Sequence, residues 1–219
     1  MKIILDTDGT VTNINKFLEK NAYKYFIKKY GMEIKFPNAL EIEEIFDMKN
    51  FFMKKFNCDE TKALHFQKKA LNKFWISPRF FKYSLYKFRP GIGKFIRNRI
   101  KDGHTFEVHT SRIKTTDNNL IGAIARAFTI FQYRLNGVFI NKNNFHFYKN
   151  DYDKLEGIIE SNPDLVLDDK PQIIEELNSN KIKTFCISGH HNKDVLNTKL
   201  NIKIYDFNEN VDTIFNNLF

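Results

Sequence analysis

The chain has 219 residues, of which 42% are hydrophobic and 28% are charged. This composition corresponds to one globular domain, or to one domain with a sizeable insertion, and it excludes a disordered chain and a solenoid array. No stretch approaches the roughly 20 consecutive apolar residues of a membrane span, and the first ten residues do not resemble a signal peptide. We therefore expect a soluble, cytoplasmic protein without a membrane partner.

The 35 Lys and Arg residues outnumber the 26 Asp and Glu residues, which gives a net charge of +9. This charge would favour anionic partners such as phosphates or nucleic acid, but no nucleic-acid recognition motif accompanies it. We therefore favour generic surface charge over a nucleic-acid groove. The two cysteines, Cys58 and Cys186, have neither CxxC spacing nor histidines at metal-ligand intervals, which excludes a disulfide scaffold and a structural zinc site.

The first predicted element is a buried parallel strand at residues 2–6, a short apolar run that ends in an acidic residue. A mainly helical, aromatic-rich block is predicted to follow over residues 13–88. Its predicted helices span residues 15–30, 38–50 and 59–76; Gly31 ends the first of them and Asp59 caps the last.

At Arg89-Pro90-Gly91 the pattern changes to alternating helices and strands. The predicted helices span residues 92–100, 117–135, 154–161 and 173–177, and the predicted strands span residues 105–109, 138–140, 145–148, 164–167, 183–187 and 202–205. Such alternation is typical of βαβ units. The predicted fold class is therefore α/β, a Rossmann-like doubly wound parallel sheet covered by helices on both faces.

Polar residues follow three of the predicted strands. The first strand runs into Asp6-Thr7-Asp8-Gly9-Thr10, the second into Thr110-Ser111, and a later one into Asp168-Asp169. The carboxyl ends of parallel strands meet at one edge of a sheet, so these carboxylates should converge and repel one another. A cation must then lie between them, and an oxygen-only ligand set suits Mg²⁺.

With a metal present, these residues can carry out phosphoryl transfer. Asp6 can act as a carboxylate nucleophile, and Asp8 can return over the site after the turn at Gly9 to act as general acid and base. Thr110 offers a hydroxyl to a phosphoryl oxygen, and Lys154 offsets negative charge. Asp168 holds the metal, with direct or water-mediated support from Asp169.

The order of these four motifs resembles that of the haloacid dehalogenase superfamily phosphatases, over essentially the whole chain. The resemblance implies that Asp6 is the nucleophile, and that the backbone carbonyl of Asp8 joins the Asp6 and Asp168 carboxylates on Mg²⁺. It also implies a core of residues 1–12 and 89–219 with an inserted helical cap domain (C1-type) at residues 13–88.

Two further segments, Thr110-Ser111-Arg112 and Asp168-Asp169-Lys170-Pro171, resemble the 5′-nucleotidase and deoxyribonucleotidase branch of that superfamily. The resemblance implies a hydrolase of small phosphate esters, with nucleoside monophosphates as the first substrate class to consider. The substrate-binding residues would then be Thr110, Ser111, Arg112 and Lys154.

Several alternatives stay open at this point. Lys149 could supply the site ammonium instead of Lys154, which we favour because it opens a predicted helix. His109, just before Thr110, could reach the site, although a buried histidine with satisfied hydrogen bonds is more common. The alternative functions are a nucleic-acid end phosphatase and a non-catalytic interaction protein of the same fold.

Overall fold

A computed structural model of the chain describes residues 1–31, 48–75, 79, 82–83, 85–112, 114–189, 192, 194–205, 207 and 211–218. The chain forms two compact units, one made of Met1–Asn13 with Lys87–Phe219 and the other of Ile14–Tyr86. Residues 38–47 of the second predicted helix lie outside the described residues. No helix in the described part of the chain is long and apolar enough to cross a lipid bilayer.

Within the described part of the first unit, six strands form one sheet in which every neighbouring pair is parallel. The strand order is β3-β2-β1-β4-β5-β6, so the chain winds outward from β1 in both directions. The strands are β1 (Lys2–Leu5), β2 (Thr105–Thr110), β3 (Phe145–Phe147), β4 (Leu165–Asp168), β5 (Lys183–Ile187) and β6 (Asn201–Ile204). The predicted doubly wound parallel α/β fold is confirmed.

Helices cover both faces of this sheet. Alternate residues of each strand point to opposite sides, and the apolar residues on both sides are buried against helices. Ile3 and Leu5 of β1 belong to a core cluster that includes residues of α4 (Ile92–Lys101), α5 (Leu120–Leu135) and α8 (Val211–Leu218). Ile4 belongs to a second cluster on the opposite face, with residues of α6 (Asp151–Glu160) and α7 (Pro171–Ser179). The polar residues of the motifs lie at the carboxyl ends of the strands.

The second unit is helical in its described part, with α1 (Ile14–Tyr30), α2 (Lys49–Phe56) and α3 (Glu60–Trp75). Its core is aromatic: the fully buried rings include those of Phe17, Phe26, Phe52 and Phe74. The rings pack directly against one another; Phe26 and Phe74, for example, are stacked with centroids 5.7 Å apart. These aromatic residues therefore form the interior of this unit.

The structure corrects three local predictions. Residues 138–140 are not a strand: Val138 and Ile140 are buried, but the backbone N–H of Val138 bonds to the carbonyl of Tyr133 at the end of α5 instead of to a sheet neighbour. Lys154 does not open its helix, which begins at Asp151 with the side chain of Asn150 as N-cap. The helix α8 was not predicted.

Candidate active site at the carboxyl edge of the sheet

The segment after β1 folds into a tight turn that points its side chains at the edge of the sheet. The backbone N–H of Gly9 donates to the carbonyl of Thr12, and that of Thr12 donates to the carbonyl of Thr7. Arg89 holds the turn through its guanidinium, which donates to the carbonyl of Gly9 from Nε at 3.0 Å and from Nη2 at 2.7 Å. The turn is therefore fastened to the chain that re-enters the first unit.

Gly9 is required by this turn. Its φ is +97°, a conformation that residues with a side chain rarely adopt. A Cβ at this position would lie 2.0 Å from Oδ2 of Asp169. The missing side chain is what allows the Asp169 carboxylate to approach the turn.

The structure brings Asp6, Asp168 and Asp169 together. One carboxylate oxygen from each residue lies within 4.8 Å of the other two, and all three residues are buried. Asp168 ends β4 and Asp6 follows β1, and these two strands are neighbours in the sheet. The convergence expected from the strand ends is therefore present in the structure.

A single ammonium group bridges two of these carboxylates. Nζ of Lys154 lies 2.8 Å from Oδ1 of Asp6 and 2.8 Å from Oδ2 of Asp168, and its side chain is fully buried. Lys149 is exposed. Burial would lower the pKa of Lys154, but the carboxylates of Asp168 and Asp6 raise it well above its usual value, so the side chain stays charged.

The carboxylate cluster has the properties of a cation site. The pKa of Asp6 is raised to about 7 by burial and by the neighbouring carboxylates, although the ammonium of Lys154 opposes the shift. Oδ2 of Asp6 is buried and accepts no hydrogen bond from any described residue. An orphaned buried oxygen among three carboxylates fits Mg²⁺, which takes oxygen ligands and would return Asp6 to its ionised form.

Asp8 forms a bidentate ion pair with Arg112. Its Oδ1 accepts from Nη2 of Arg112 at 2.5 Å, and its Oδ2 accepts from Nε at 3.1 Å. The guanidinium is buried and also donates from Nη1 to Thr129 at 3.2 Å and to Gln132 at 3.0 Å, both in α5. These contacts connect Arg112, which was expected to bind substrate, to the carboxylate expected to act as acid and base.

Thr110 and Ser111 lie at the carboxyl end of β2, next to β1 in the sheet. Thr110 is buried, and its backbone carbonyl accepts from the N–H of Tyr148. The hydroxyl of Ser111 donates to Oδ1 of Asp151 at 2.5 Å, and Oδ2 of Asp151 accepts from Nζ of Lys170 at 2.6 Å. The side chain of Ser111 is thus oriented by the first residue of α6.

Three residues that support the carboxylates were not identified from the sequence. The hydroxyl of Thr10 donates to Oδ1 of Asp169 at 3.2 Å, and the backbone N–H of Lys170 donates to Oδ1 of Asp168 at 2.9 Å. Nδ2 of Asn192 donates to the backbone carbonyl of Asp169 at 2.7 Å. Thr10 and Lys170 belong to the motif segments, and Asn192 lies in the segment after β5, whose position behind a predicted strand is the signal that could have found it.

The hydrogen-bond contacts of the His109 ring are with residues outside the carboxylate cluster. Its Nε2 lies 3.1 Å from Oε2 of Glu107, and its Nδ1 lies 3.0 Å from the hydroxyl of Tyr148. The ring is buried. His109 therefore faces the side of the sheet that α6 covers and takes part in a polar cluster of its own.

No protein-family model matches the chain, and no curated protein sequence matches it. The chain does match solved structures. A haloacid dehalogenase-like hydrolase from Streptococcus pneumoniae is 12% identical over 85% of this chain and 84% of its own, with a TM-score of 0.55. A beta-phosphoglucomutase from Clostridium difficile is 15% identical over 99% and 96%, with a TM-score of 0.56.

A third match is YfnB from Bacillus subtilis, described as a hydrolase of the same haloacid dehalogenase type and bound to magnesium. It is 12% identical over 99% of this chain and 97% of its own, with a TM-score of 0.55. At these identities the likeness establishes the fold alone. The chain therefore has the haloacid dehalogenase-like fold.

Proposed function

We propose that the protein is a Mg²⁺-dependent phosphomonoester hydrolase that works through a phosphorylated Asp6. The observation that carries the proposal is the buried cluster of Asp6, Asp168 and Asp169, whose carboxylate oxygens lie within 4.8 Å of one another. Burying like charges this closely is unfavourable unless cations compensate them, and Lys154 supplies one positive charge against three carboxylates. A divalent cation would compensate the two remaining negative charges.

Mg²⁺ would be held by the carboxylates of Asp6, Asp168 and Asp169, with the backbone carbonyl of Asp8, and when bound it supplies positive charge to the phosphoryl oxygens. The hydroxyl of Thr110 donates to a phosphoryl oxygen, with Ser111 as a further expected substrate contact. The ammonium of Lys154 holds Oδ1 of Asp6 in place and offsets the negative charge that develops in the transition state.

In the first step a carboxylate oxygen of Asp6 attacks phosphorus, and the bond from phosphorus to the ester oxygen breaks. The leaving oxygen takes a proton from Asp8. In the second step Asp8 removes a proton from water, the water oxygen attacks phosphorus, and the bond to Asp6 breaks. Phosphate leaves and Asp6 is regenerated.

In this mechanism, the ion pair between Asp8 and Arg112 is present only while Asp8 is ionised. Two charge-assisted hydrogen bonds from a guanidinium stabilise a carboxylate in its ionised form, which supports the proton-accepting role proposed for Asp8. Protonation of Asp8 removes the charge that binds Arg112 and frees the carboxyl group to turn toward the leaving oxygen. We therefore assign Arg112 to the positioning of Asp8.

The proposed substrate class is a small phosphate ester, and nucleoside monophosphates are the first members to test. This choice rests on the resemblance of residues 110–112 and 168–171 to the nucleotidase branch. Small-molecule esters are preferred over nucleic-acid ends because no recognition motif accompanies the net charge of +9.

The test is a phosphate-release assay with and without Mg²⁺ on nucleoside monophosphates, sugar phosphates and a 5′-phosphorylated oligonucleotide. We expect turnover of a small ester that is abolished by EDTA and by Asp6→Asn. The matched control is Asp102→Asn, an exposed aspartate at the opposite end of β2, which should retain full activity.

Trapping the phosphorylated enzyme on Asp6 by acid quench tests the intermediate directly. Persisting activity in a correctly folded Asp6→Asn protein would exclude Asp6 as the nucleophile. Activity confined to the oligonucleotide would favour the end-phosphatase function instead.

A further inference from the structure

A second group of metal-ligating side chains, which shares no residue with the carboxylate cluster, lies on the sheet. Glu107 and His109 are two residues apart in β2 and so point to the same face. His146 in β3 is the register partner of His109 and lies beside it on that face, with ring centroids 4.5 Å apart. We call Glu107, His109 and His146 the His–Glu cluster.

The distances within the His–Glu cluster match those of a metal site. Oε2 of Glu107 lies 3.1 Å from Nε2 of His109 and 3.8 Å from Nε2 of His146. One ligand atom from each of the three residues lies within 4.8 Å of the others. Ligand atoms bound about 2.1 Å from a tetrahedral ion are about 3.4 Å apart, so small side-chain adjustments bring all three atoms onto one ion.

The outward-facing atoms of two of these residues are already held by other groups. Nδ1 of His109 lies 3.0 Å from the hydroxyl of Tyr148, and Oε1 of Glu107 lies 3.5 Å from Nζ of Lys2. This leaves Nε2 and Oε2 facing each other inside the cluster. Metal-binding histidines and carboxylates are oriented in this way by partners on their other polar atom.

The third residue opens the cluster to solvent. His109 is buried, whereas the side chain of His146 is 40% exposed. An ion bound here would keep a coordination position open to water on the side of His146.

We propose that Glu107, His109 and His146 form a second metal site, which takes a divalent transition metal of the Zn²⁺ type. Two imidazoles and one carboxylate form a ligand set typical of Zn²⁺, whereas the all-carboxylate cluster selects Mg²⁺. The two sites are therefore chemically distinct, and the second does not depend on the proposed phosphatase activity.

The experiment is a calorimetric Zn²⁺ titration of the full chain in excess Mg²⁺, which saturates the carboxylate cluster. We expect one Zn²⁺ equivalent that is lost in His146→Gln, a substitution at a half-exposed side chain that should leave the fold intact. The matched controls are His65→Gln, at an exposed histidine of α3, and a His190→Gln/His191→Gln double variant. Both controls should still bind the equivalent.

Two further readouts separate a ligand from a structural histidine. Co²⁺ in place of Zn²⁺ should give visible d–d absorption that His146→Gln abolishes while its circular dichroism is unchanged. Tyr148→Phe should weaken Zn²⁺ binding roughly 10- to 100-fold, because the hydroxyl orients His109. Unaltered Zn²⁺ binding in His146→Gln would overturn the site, and unaltered affinity in Tyr148→Phe would overturn the assignment of His109 as a ligand.

Discussion

The aspartates of the candidate active site differ in what surrounds each carboxylate. The pKa of Asp6 is raised to about 7 by burial, with its Oδ2 unpartnered among the described residues. Burial would also raise the pKa of Asp151, but hydrogen bonds from Lys170 and Ser111 outweigh it and lower that pKa. Asp8 is held by a guanidinium. These different surroundings give residues of one type different proposed roles.

Arg112→Lys tests the positioning of Asp8. A lysine keeps the charge but cannot reproduce the planar two-bond contact, so Asp8 should lose its alignment with the substrate. We expect kcat to fall about 10²-fold, the size of effect that a small misplacement can produce, while KM changes little. Steady-state kinetics on the best substrate measure both constants.

Arg97→Lys, at the surface of α4, is the matched control and should leave both constants unchanged. If Arg112→Lys instead raises KM and leaves kcat intact, Arg112 contacts the substrate directly, and its proposed positioning role is wrong.

At the scale of elements, the turn after β1 decides where the Asp169 carboxylate can lie. Gly9→Ala introduces a Cβ that would meet this carboxylate at 2.0 Å, so we expect both lower stability and weaker Mg²⁺ binding. The backbone strain alone costs about 1–3 kcal/mol. Urea unfolding and a Mg²⁺ titration of activity provide the two measurements.

Gly103→Ala separates the two causes. Gly103 has a similar φ of +84°, but nothing lies within 4 Å of the position its Cβ would take. This variant should show the backbone cost alone and full Mg²⁺ affinity. Equal Mg²⁺ affinity in both variants would show that the contact between Gly9 and Asp169 does not shape the metal site.

Element boundaries followed local signals where those signals were complete. Asp59 accepts from the N–H of Lys62 and starts α3 as its sequence position predicts. Residues 138–140 have the apolar pattern of a strand but none of the sheet pairing, because β3 occupies the position next to β2. An apolar run predicts that its residues are buried. Whether they join the sheet depends on which segment of the chain pairs with the neighbouring strand.

At the scale of the whole molecule, the buried charges of the site should make the free energy of unfolding depend on whether Mg²⁺ is bound. Lys154→Met removes the ammonium that bonds to Asp6 and Asp168 while keeping an unbranched side chain of similar length. Breaking a buried ion pair in this way costs about 3–5 kcal/mol. We expect a loss of that order in the free energy of unfolding in EDTA, and partial recovery in Mg²⁺, because a ligand that binds only the folded state stabilises it.

Urea unfolding of the wild-type and Lys154→Met proteins, each in EDTA and in Mg²⁺, measures these differences. Lys149→Met is the matched control at an exposed lysine and should unfold like the wild type. A Lys154→Met protein as stable in EDTA as the wild type would contradict the electrostatic account of the cluster.

The sequence by itself determined the parallel α/β sheet and the strand ends at which the acidic residues stand. Both follow from local patterns: apolar runs predict buried strands, and in a parallel sheet their carboxyl ends share one edge. Asp6, Thr110 and Asp168 could be selected on that basis alone.

Only the tertiary structure decided which side chains meet. The ammonium between Asp6 and Asp168 belongs to Lys154, Asp8 pairs with Arg112, and His109 joins His146 across two strands. The residues of each pair are separated by between 14 and 148 positions. Such contacts depend on strand register and on where a helix begins, which local residue patterns do not encode.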